Sequence, residues 1–446
     1  MAKRLFGTDG IRGVAGMEPL DPKTVAALGI ALGDDLIAHL QAAAPVLLGI
    51  DTRESGPAIA AQLAWGLAKR GIRVEFAGVV TTPGVAYLTR TGGFAAGAMI
   101  SASHNPYQDN GIKVFSRDGY KLPDGEEAEI EEEIFAILPK LELPEDFPAL
   151  AETYSVRRYI DFIEGIVGAR LDGLKVVMDC GNGAASAIAP TLFRELGATV
   201  EAIHASPDGR NINLNCGALH VEALRERVLE TGADAGVAFD GDADRAMLVS
   251  KSGRVIDGDA MLLIAGALMQ RDGHLPGNTV VATVMSNLGL EQALGRLGIS
   301  MLRTPVGDKY VLEEMIRRDA PLGGEQSGHV IFKEFATTGD GMLTALKVLE
   351  AASREGKSLD ELAADFTVLP QLLVNIRVKE RRPLEQLAGV KRKIAEAEAE
   401  LNGSGRVLVR FSGTEPLARV MVEGPELGQV TRCAEAIADA IRAELG

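Results

Sequence analysis

Short apolar segments alternate with helix-forming segments along most of this 446-residue chain, and this alternation is what most restricts its fold. The runs at 46–50, 94–100 and 235–239 end in small and polar residues, which is typical of buried strands bounded by turns. A strand is also expected at 72–76, and residues 112–115 are expected to form the strand that returns after a turn. Strands that alternate with helices favour mostly parallel sheets with helices on both faces. In such sheets, functional loops lie at the carboxyl ends of the strands.

The pattern predicts three α/β units followed by a smaller α+β unit. We place their limits at 1–153, 154–257, 258–369 and 370–446. After Leu369-Pro370 the apolar residues alternate as in antiparallel strands, which marks the change to the last unit.

Composition excludes several classes of protein. The net charge of −16, from 46 basic and 62 acidic residues, argues against a nucleic acid partner. The longest apolar runs, such as 261–269, are too short to span a membrane. The segment Met1–Leu5 has no apolar stretch after it, so no signal peptide is expected. Cys180, Cys216 and Cys433 show neither disulfide nor zinc spacing, which favours a reducing cytoplasm.

A candidate nucleophile follows the apolar run 94–100. The sequence there is Ser-Ala-Ser-His-Asn-Pro (101–106), with Asp-Asn-Gly-Ile-Lys at 109–113. A serine hydroxyl at the end of a buried strand, in a tight polar loop, is well placed to attack a substrate. The alternative is that Ser103 only caps backbone groups.

Three carboxylates at alternate positions follow the run 235–239. Asp240, Asp242 and Asp244 are separated by Gly and Ala, so their oxygens can converge on one hard cation. Arg245 and Lys251 occupy the sixth and twelfth positions, where an EF-hand needs Gly and Glu. The alternative is a plain acidic turn, but three buried acids would repel one another without a cation.

Two glycine-rich segments are candidate binding loops, one for a phosphate and one for hydroxyl groups. Residues 3–13 place Arg12 among three glycines, as in a phosphate cradle. Residues 323–329 present Glu325, Ser327 and His329 between glycines, and such groups suit sugar hydroxyls. Ordinary glycine-rich turns are the alternative for both segments.

A third candidate lies near the carboxyl terminus. The turn Ser412, Gly413 and Thr414 offers hydroxyls and free N–H groups, with Arg410 and Arg419 on either side. This suits a phosphate dianion. The alternative is a hairpin turn with surface arginines.

These loops together resemble the α-D-phosphohexomutase superfamily over essentially the whole chain. The similar stretches are Phe-Gly-Thr-Asp-Gly-Ile-Arg-Gly, Ser-Ala-Ser-His-Asn-Pro, Asp-Gly-Asp-Ala-Asp-Arg, Gly-Glu-Gln-Ser-Gly-His and Arg-Phe-Ser-Gly-Thr-Glu-Pro, in that order. The resemblance implies three related mixed α/β domains and a smaller C-terminal α+β domain around a central cleft.

The resemblance also implies roles for individual residues. Ser103 would carry the transferred phosphoryl group, and one Mg²⁺ would be bound by Ser103, Asp240, Asp242 and Asp244. A general base is needed, and the family leaves Lys113, Arg12 and His329 as candidates. His104 is expected to be structural. The implied substrate-binding residues are Arg245, Glu325, Ser327, Arg410, Ser412, Gly413, Thr414 and Arg419.

The implied activity is interconversion of glucosamine 6-phosphate and glucosamine 1-phosphate in the cytoplasm, which supplies UDP-N-acetylglucosamine and cell-wall synthesis. A sugar 1,6-bisphosphate would serve as intermediate and activator. Gln326 is similar to the branch that uses glucosamine phosphates, whereas mutases of mannose or glucose phosphates usually carry Met there. Those mutases, or a non-catalytic phosphosugar sensor, are the alternatives. The implied partner is a small phosphosugar, with no nucleic acid or membrane, and assembly as a homodimer is left open.

Overall fold

The structure, a computed structural model, describes residues 5–7, 9–40, 44–168, 170–380, 382–411 and 416–446. The chain divides into two compact units. The first comprises Met1–Val284 and Leu302–Ala363, and the second comprises Met285–Met301 and Ala364–Gly446. Within the described ranges, no helix combines the length and the apolar character needed to cross a bilayer.

The first sheet has six strands in the order β1-β2-β6-β5-β3-β4. Only β3 pairs in parallel fashion, with β4 and β5, and the remaining pairs are antiparallel. The prediction of a mostly parallel sheet is therefore wrong here, because a tight loop returns β5 directly into β6 and such a connection makes an antiparallel pair. The elements are β1 (Phe6–Gly7), β2 (Gly10–Val14), α1 (Pro22–Leu40), β3 (Val46–Ile50), α2 (Gly56–Ala68), β4 (Val74–Val79), α3 (Thr82–Gly92), β5 (Ala96–Ile100), β6 (Asp109–Ser116) and α4 (Asp124–Ile137).

The second sheet has the order β11-β10-β9-β7-β8. Strand β7 is parallel to β8 and β9, and β10 turns back antiparallel to β9. The elements are α5 (Arg157–Ile166), β7 (Lys175–Asp179), α6 (Ala185–Glu195), β8 (Thr199–Ile203), α7 (Glu222–Thr231), β9 (Ala235–Phe239), β10 (Ala246–Ser250) and β11 (Val255–Ile256).

The third sheet is also mixed, with the order β13-β12-β14-β15. Strand β12 is parallel to β14, and β15 is antiparallel to β14. The elements that follow β11 are α8 (Gly258–Arg271), β12 (Thr279–Thr283), α9 (Leu288–Arg296), β13 (Ser300–Thr304), α10 (Asp308–Arg318), β14 (Leu322–Gly324), β15 (Val330–Phe332), α11 (Gly341–Glu355) and α12 (Leu359–Leu362).

The second unit contains a three-stranded antiparallel sheet in the order β16-β18-β17. Its apolar face packs on the last helix, with Val420, Val422, Ile437 and Ile441 fully buried. Three mixed α/β sheets and a smaller α+β sheet confirm the predicted fold class. The remaining elements are β16 (Gln371–Arg377), α13 (Ala388–Leu401), β17 (Arg406–Phe411), β18 (Leu417–Glu423) and α14 (Leu427–Leu445).

Two predicted strands have different limits in the structure. The strand predicted at 72–76 is β4, because the Ile72 N–H still donates to Leu67 O at the end of the helical turn. The strand predicted at 112–115 is the longer β6, because β2 pairs along it as far as Asp109. In both cases tertiary hydrogen bonding, rather than the apolar pattern, sets the ends.

Helices α1 and α2 approach closely through two glycines. A Cβ on Gly29 would meet Leu63 O and would lie 3.0 Å from the Gly66 Cα. A Cβ on Gly66 would meet Ala26 O and would lie 2.8 Å from the Gly29 Cα. Backbone atoms cannot rotate out of the way, so this contact requires glycine on both helices.

We therefore predict that Gly66→Ala lowers the free energy of unfolding by about 1–3 kcal/mol, since the added methyl separates two helices. Gly125→Ala is the matched control, because no heavy atom lies within 4 Å of a Cβ at that exposed position of α4. We expect the control to be neutral or slightly stabilising. Denaturant unfolding of both variants measures the difference, and equal stabilities would contradict the close-packing argument.

Candidate active site

Ser103 lies in a strained and buried position three residues after β5. Its φ is +51°, a left-handed conformation that is uncommon for residues other than glycine. Its Oγ donates to Asp240 Oδ2 at 2.6 Å, and its N–H donates to Ser101 Oγ at 2.9 Å. Such a conformation persists only when its surroundings impose it.

The guanidinium of Arg53 imposes much of this conformation. Arg53 is fully buried, and its NH2 group donates to Ser103 O at 2.9 Å and Asn105 O at 2.8 Å. Its NH1 group donates to Asp109 O at 2.9 Å and to Pro106 O. One side chain thus binds four carbonyl oxygens of the serine loop.

Asp51 is the counter-ion of this guanidinium. Its Oδ2 accepts from Arg53 Nε at 2.9 Å and from Ser101 Oγ at 2.6 Å. Burial raises the pKa of Asp51, although the Arg53 charge opposes that shift. Sequence analysis gave Arg53 no role; its position just after strand β3 was the only available signal.

Asp240, Asp242 and Asp244 converge as predicted. All three are buried, and one carboxylate oxygen of each lies within 4.8 Å of the others. Gly241 between them has to be glycine, because a Cβ there would lie 2.5 Å from Ser103 O. The pKa of Asp240 is raised well above its usual value by burial and by the neighbouring Asp244 and Asp242 carboxylates.

Lys113 enters this acidic cluster from β6. Its Nζ lies 2.8 Å from Asp242 Oδ2, 3.4 Å from Asp244 Oδ2 and 3.3 Å from Asp9 Oδ2. Burial alone would lower the pKa of this ammonium, but the three carboxylates raise it well above its usual value. Sequence analysis expected a metal to relieve the acid repulsion, whereas the structure adds a protein cation that shares this task.

Thr82 holds the central acid. Its Oγ1 donates to Asp242 Oδ2 at 2.5 Å, and its N–H donates to Asp242 O at 2.9 Å. Sequence analysis missed this residue. Its position at the start of α3, three residues after β4 ends, was the available signal.

The acidic cluster fits a hard divalent cation. The Oδ1 atoms of Asp242 and Asp244 are buried without a hydrogen-bond donor among the described residues. A buried acceptor without a partner costs about 1–3 kcal/mol, which a coordinated cation would offset. Three carboxylates with no nitrogen or sulfur ligand suit Mg²⁺ or Ca²⁺ better than a softer metal.

A cavity of about 370 Å³ adjoins this cluster, and both positively and negatively charged side chains line its wall. Arg12 lines it and pairs with Asp9. His104 Nδ1 lies 3.2 Å from an Arg245 guanidinium nitrogen and 3.3 Å from Ser103 Oγ. Burial and the charges of Arg245 and Arg12 lower the pKa of His104 to about 4, so the imidazole is neutral at neutral pH. The predicted residues that line this cavity are Arg12, Asp244, Arg245, Glu325 and His329.

His329 is buried between acids. Its Nε2 accepts from the Gly339 N–H at 2.9 Å, and its Nδ1 lies 3.7 Å from Asp244 Oδ2. Burial would lower the pKa of His329, but the hydrogen bond and charge of Asp244 and the charge of Asp308 raise it. The imidazole therefore has a partner at each nitrogen.

The loop that carries Glu325 is fixed by its own contacts. Glu325 Oε1 accepts from the Gly307 N–H at 3.1 Å, and Ser327 Oγ is 3.4 Å from Glu325 Oε2. The Gln326 amide donates to Asp257 Oδ2 at 3.3 Å, and Asp257 caps helix α8. Gln326 thus ties this loop to a helix end, while Glu325 faces the cavity.

In the second unit, Arg410 and Arg419 lie directly opposite each other on β17 and β18. Burial and the adjacent Arg419 charge lower the pKa of Arg410, as expected for two neighbouring cations. Ser412, Gly413 and Thr414, which sequence analysis placed in the same phosphate site, lie outside the described residues.

Family models match nearly the whole chain. Those for phosphoglucomutase/phosphomannomutase cover alpha/beta/alpha domain I at residues 3–140, domain II at 157–253, domain III at 257–369 and the C-terminal domain at 373–440.

Individual relatives agree with this family. The chain is 60% identical to a phosphoglucosamine mutase of Solibacter usitatus over the full length of both proteins. A crystal structure of a phosphoglucomutase/phosphomannomutase family protein from Burkholderia thailandensis is similar with a TM-score of 0.80 and 26% identity, covering 98% of this chain and 97% of that one. The Aspergillus fumigatus N-acetylphosphoglucosamine mutase, solved in complex with GlcNAc-6P and magnesium, shares the fold with a TM-score of 0.68 and 18% identity. The similarity covers 99% of this chain and 96% of that one. The chain therefore belongs to the phosphoglucomutase/phosphomannomutase family, and within it to the phosphoglucosamine mutases.

Proposed function

We propose that this enzyme interconverts glucosamine 6-phosphate and glucosamine 1-phosphate through a phosphorylated Ser103 and a 1,6-bisphosphate intermediate. The observation that carries the proposal is the 2.6 Å contact between Ser103 Oγ and Asp240, at the edge of a buried acidic cluster beside a cavity lined by arginines. The name of the Solibacter relative supports the choice of sugar. The product would feed UDP-N-acetylglucosamine and cell-wall synthesis.

The reaction needs two phosphoryl transfers. In the first, the bond between phosphorus and Ser103 Oγ breaks, and a bond to O1 of glucosamine 6-phosphate forms. The O1 hydroxyl releases its proton, and Ser103 Oγ regains one. The bisphosphate then turns over in the cleft, its 6-phosphoryl group returns to Ser103, and glucosamine 1-phosphate leaves. The same bisphosphate would phosphorylate the enzyme initially.

The residues around Ser103 divide the work of charge neutralisation. A Mg²⁺ ion held by Asp240, Asp242, Asp244 and the phosphoserine would spread the charge of the transferring phosphoryl group. Arg12 and Arg245 lie on the cavity wall, where guanidinium groups can pair with phosphate oxygens.

The sugar and its second phosphate would be held by other loops. Glu325 would accept hydrogen bonds from sugar hydroxyls, with Ser327 beside it. One of the proposed loops belongs to each of the four domains proposed from the sequence, which are 1–153, 154–257, 258–369 and 370–446. The phosphate that does not react would bind Arg410, Ser412, Gly413, Thr414 and Arg419.

None of the three candidate bases is a free acceptor in this arrangement. Lys113 is an ammonium among carboxylates, and Arg12 carries a guanidinium, which stays charged at neutral pH. His329 has a partner at each nitrogen. We infer that they stabilise charge, and that the hydroxyl proton leaves late. A loose phosphoryl-transfer transition state needs little early activation of the incoming oxygen.

We predict that Ser103→Ala abolishes turnover and prevents covalent phosphorylation, because the phosphoryl acceptor is lost. Intact-mass and peptide analysis after incubation with glucose 1,6-bisphosphate or glucosamine 1,6-bisphosphate and Mg²⁺ measures the phosphoenzyme. Ser103→Gly removes the same hydroxyl, and glycine adopts a φ of +51° without strain. A loss of activity in this variant therefore reports the missing hydroxyl rather than a failure to fold.

Ser101→Ala is the matched control for the site of phosphorylation, because Ser101 lies in the same loop and its hydroxyl contacts Asp51 and the Ser103 N–H rather than Asp240. It should keep the phosphoserine at 103. Phosphate on Ser101, or full activity of Ser103→Gly, would refute the mechanism. Comparing the rates with glucosamine, glucose and mannose phosphates decides among the mutase alternatives. If no phosphoenzyme forms under any condition, the result would favour a non-catalytic phosphosugar sensor.

For Lys113→Gln we predict tighter Mg²⁺ binding together with slower turnover. Removing the ammonium from Asp242 and Asp244 strengthens the negative field on a cation, and we expect about tenfold higher affinity, or about 1.4 kcal/mol. Calorimetric Mg²⁺ titration and initial rates measure the two effects. Lys121→Gln is the control, since Lys121 pairs with Asp9 and Asp308 outside the cluster. A fall in Mg²⁺ affinity for Lys113→Gln would contradict this account.

For Arg53→Lys we predict a loss of at least tenfold in kcat and a decrease of about 3–5 kcal/mol in the free energy of unfolding. The reason is that an ammonium cannot reach four carbonyl oxygens, so some of these acceptors lose a donor. Thermal unfolding and steady-state rates measure this. Arg210→Lys is the control, because Arg210 forms an exposed pair with Glu54 and such pairs contribute little. Wild-type kcat for Arg53→Lys would show that the serine loop does not depend on this guanidinium.

A further inference from the structure

We propose that Asp179, His204 and Cys216 form a second cation site, which binds a borderline metal of the zinc class and is separate from the acidic cluster. One ligand atom of each side chain lies within 4.8 Å of the other two. The three atoms are a carboxylate oxygen, an imidazole nitrogen and a sulfur, which are the ligand types that Zn²⁺ uses in proteins.

The topology of the second sheet assembles this group. Asp179 is the last residue of β7, and His204 follows directly after the parallel neighbour β8, where Asp179 pairs with Ile203. Cys216 begins the short 3₁₀ turn Gly217–Leu219. Adjacent parallel strands end at the same edge of a sheet, so the three ligands meet although 25 and 12 residues separate them in sequence.

The spacing of the imidazole and the carboxylate is compatible with a shared metal. His204 Nδ1 lies 2.9 Å from Asp179 Oδ2, and two ligands bound at about 2.0–2.2 Å to one Zn²⁺ ion are separated by a similar or slightly longer distance. The metal would replace the proton between them, and the Cys216 thiol would bind as a thiolate after losing its proton. Solvent reaches the group through His204, whose side chain is 33% exposed, whereas Asp179 and Cys216 are buried.

Outer hydrogen bonds already orient two of the ligands. Asp179 Oδ1 accepts from the Gly181 N–H at 2.9 Å, which leaves Oδ2 toward the other ligands. The Asn182 side-chain amide lies 4.0 Å from Cys216 Sγ, where it can donate to a thiolate. Partners of this kind fix the direction of metal ligands and tune the bound metal.

The donor set separates this site from the acidic cluster by chemistry. Asp240, Asp242 and Asp244 offer only oxygen, which suits Mg²⁺. The mixed oxygen, nitrogen and sulfur set prefers zinc and its neighbours among the transition metals. Both sites can therefore be filled at once by different ions.

The segment between His204 and Cys216 also contacts the serine loop. Asn213, in that segment, donates to Ser103 O at 2.9 Å and to Asn105 O at 3.1 Å. Its own N–H donates to Gly181 O at 2.9 Å. A metal that joins both ends of the segment would hold Asn213 against the loop that carries Ser103.

The test uses Co²⁺ as a spectroscopic probe of the full-length protein, in the presence of saturating Mg²⁺. We expect one Co²⁺ per chain with a near-ultraviolet thiolate-to-cobalt band that added Zn²⁺ removes. Cys216→Ser should abolish the band and weaken Zn²⁺ binding at least tenfold, as measured against a chromophoric chelator. Cys433→Ser and Cys180→Ala are matched controls that should keep both signals.

His204→Asn gives an independent variant, since asparagine tolerates the φ of +45° at this position and removes the imidazole. It should weaken Zn²⁺ binding as Cys216→Ser does, and it carries the test if Cys216→Ser fails to fold. No thiolate band in the wild type, or a band that survives in Cys216→Ser, would overturn the proposal. Ser103→Gly should bind Co²⁺ like the wild type, so this result is independent of the proposed mutase activity.

Discussion

The arrangement around Ser103 depends on one buried ion pair, between Arg53 and Asp51. The serine loop leaves β5 and turns before β6, so several of its carbonyls have no partner in the sheet. A buried carbonyl without a donor costs about 1–3 kcal/mol. Asn213 donates to the Ser103 and Asn105 carbonyls, and the Asp109 N–H donates to Pro106 O. The Arg53 guanidinium supplies donors to all four, and Asp51 balances its charge. A neutral side chain has too few hydrogen-bond donors to contact four carbonyl oxygens at once.

This anchoring explains how the site can be prepared before a substrate arrives. With its carbonyl bound by Arg53 and Asn213, Ser103 is held at a positive φ that directs Oγ to Asp240. Gly241 lets the acidic loop approach the same carbonyl from the other side. Groups that are already oriented need no reorganisation during phosphoryl transfer, and preorganisation of this kind contributes much of enzymatic rate acceleration.

Sequence analysis located Ser103 and the three aspartates because each follows a buried strand, and the ends of buried strands can be recognised locally. It could not assign the partners of those residues. Arg53, Lys113 and Thr82 reach Ser103 or the acids through tertiary contacts that no local pattern encodes. The turn residues indicated that residues 112–115 return as a strand, but the apolar runs carry no information on strand direction, so the other antiparallel pairs of the first sheet were not predicted. The same limit applies to Asp179, His204 and Cys216, whose spacing matches no metal motif.

Charge placement shows how an acidic protein can receive a phosphosugar. Arg12 and Arg245 line the cavity together with acids that include Asp244 and Glu325, so an incoming dianion can pair with guanidinium groups although the wall is partly acidic. Burial would raise the pKa of Asp244, but the Lys113 charge, the hydrogen bond from His329 and the Arg245 charge hold it well below its usual value, so this carboxylate is ionised throughout the physiological range. Asp240 differs, because burial and its two acidic neighbours raise its pKa. A divalent cation in the cluster favours the ionised form of Asp240. Metal binding and ionisation of the carboxylate that contacts Ser103 are therefore coupled, so a bound cation increases the ionised fraction of Asp240.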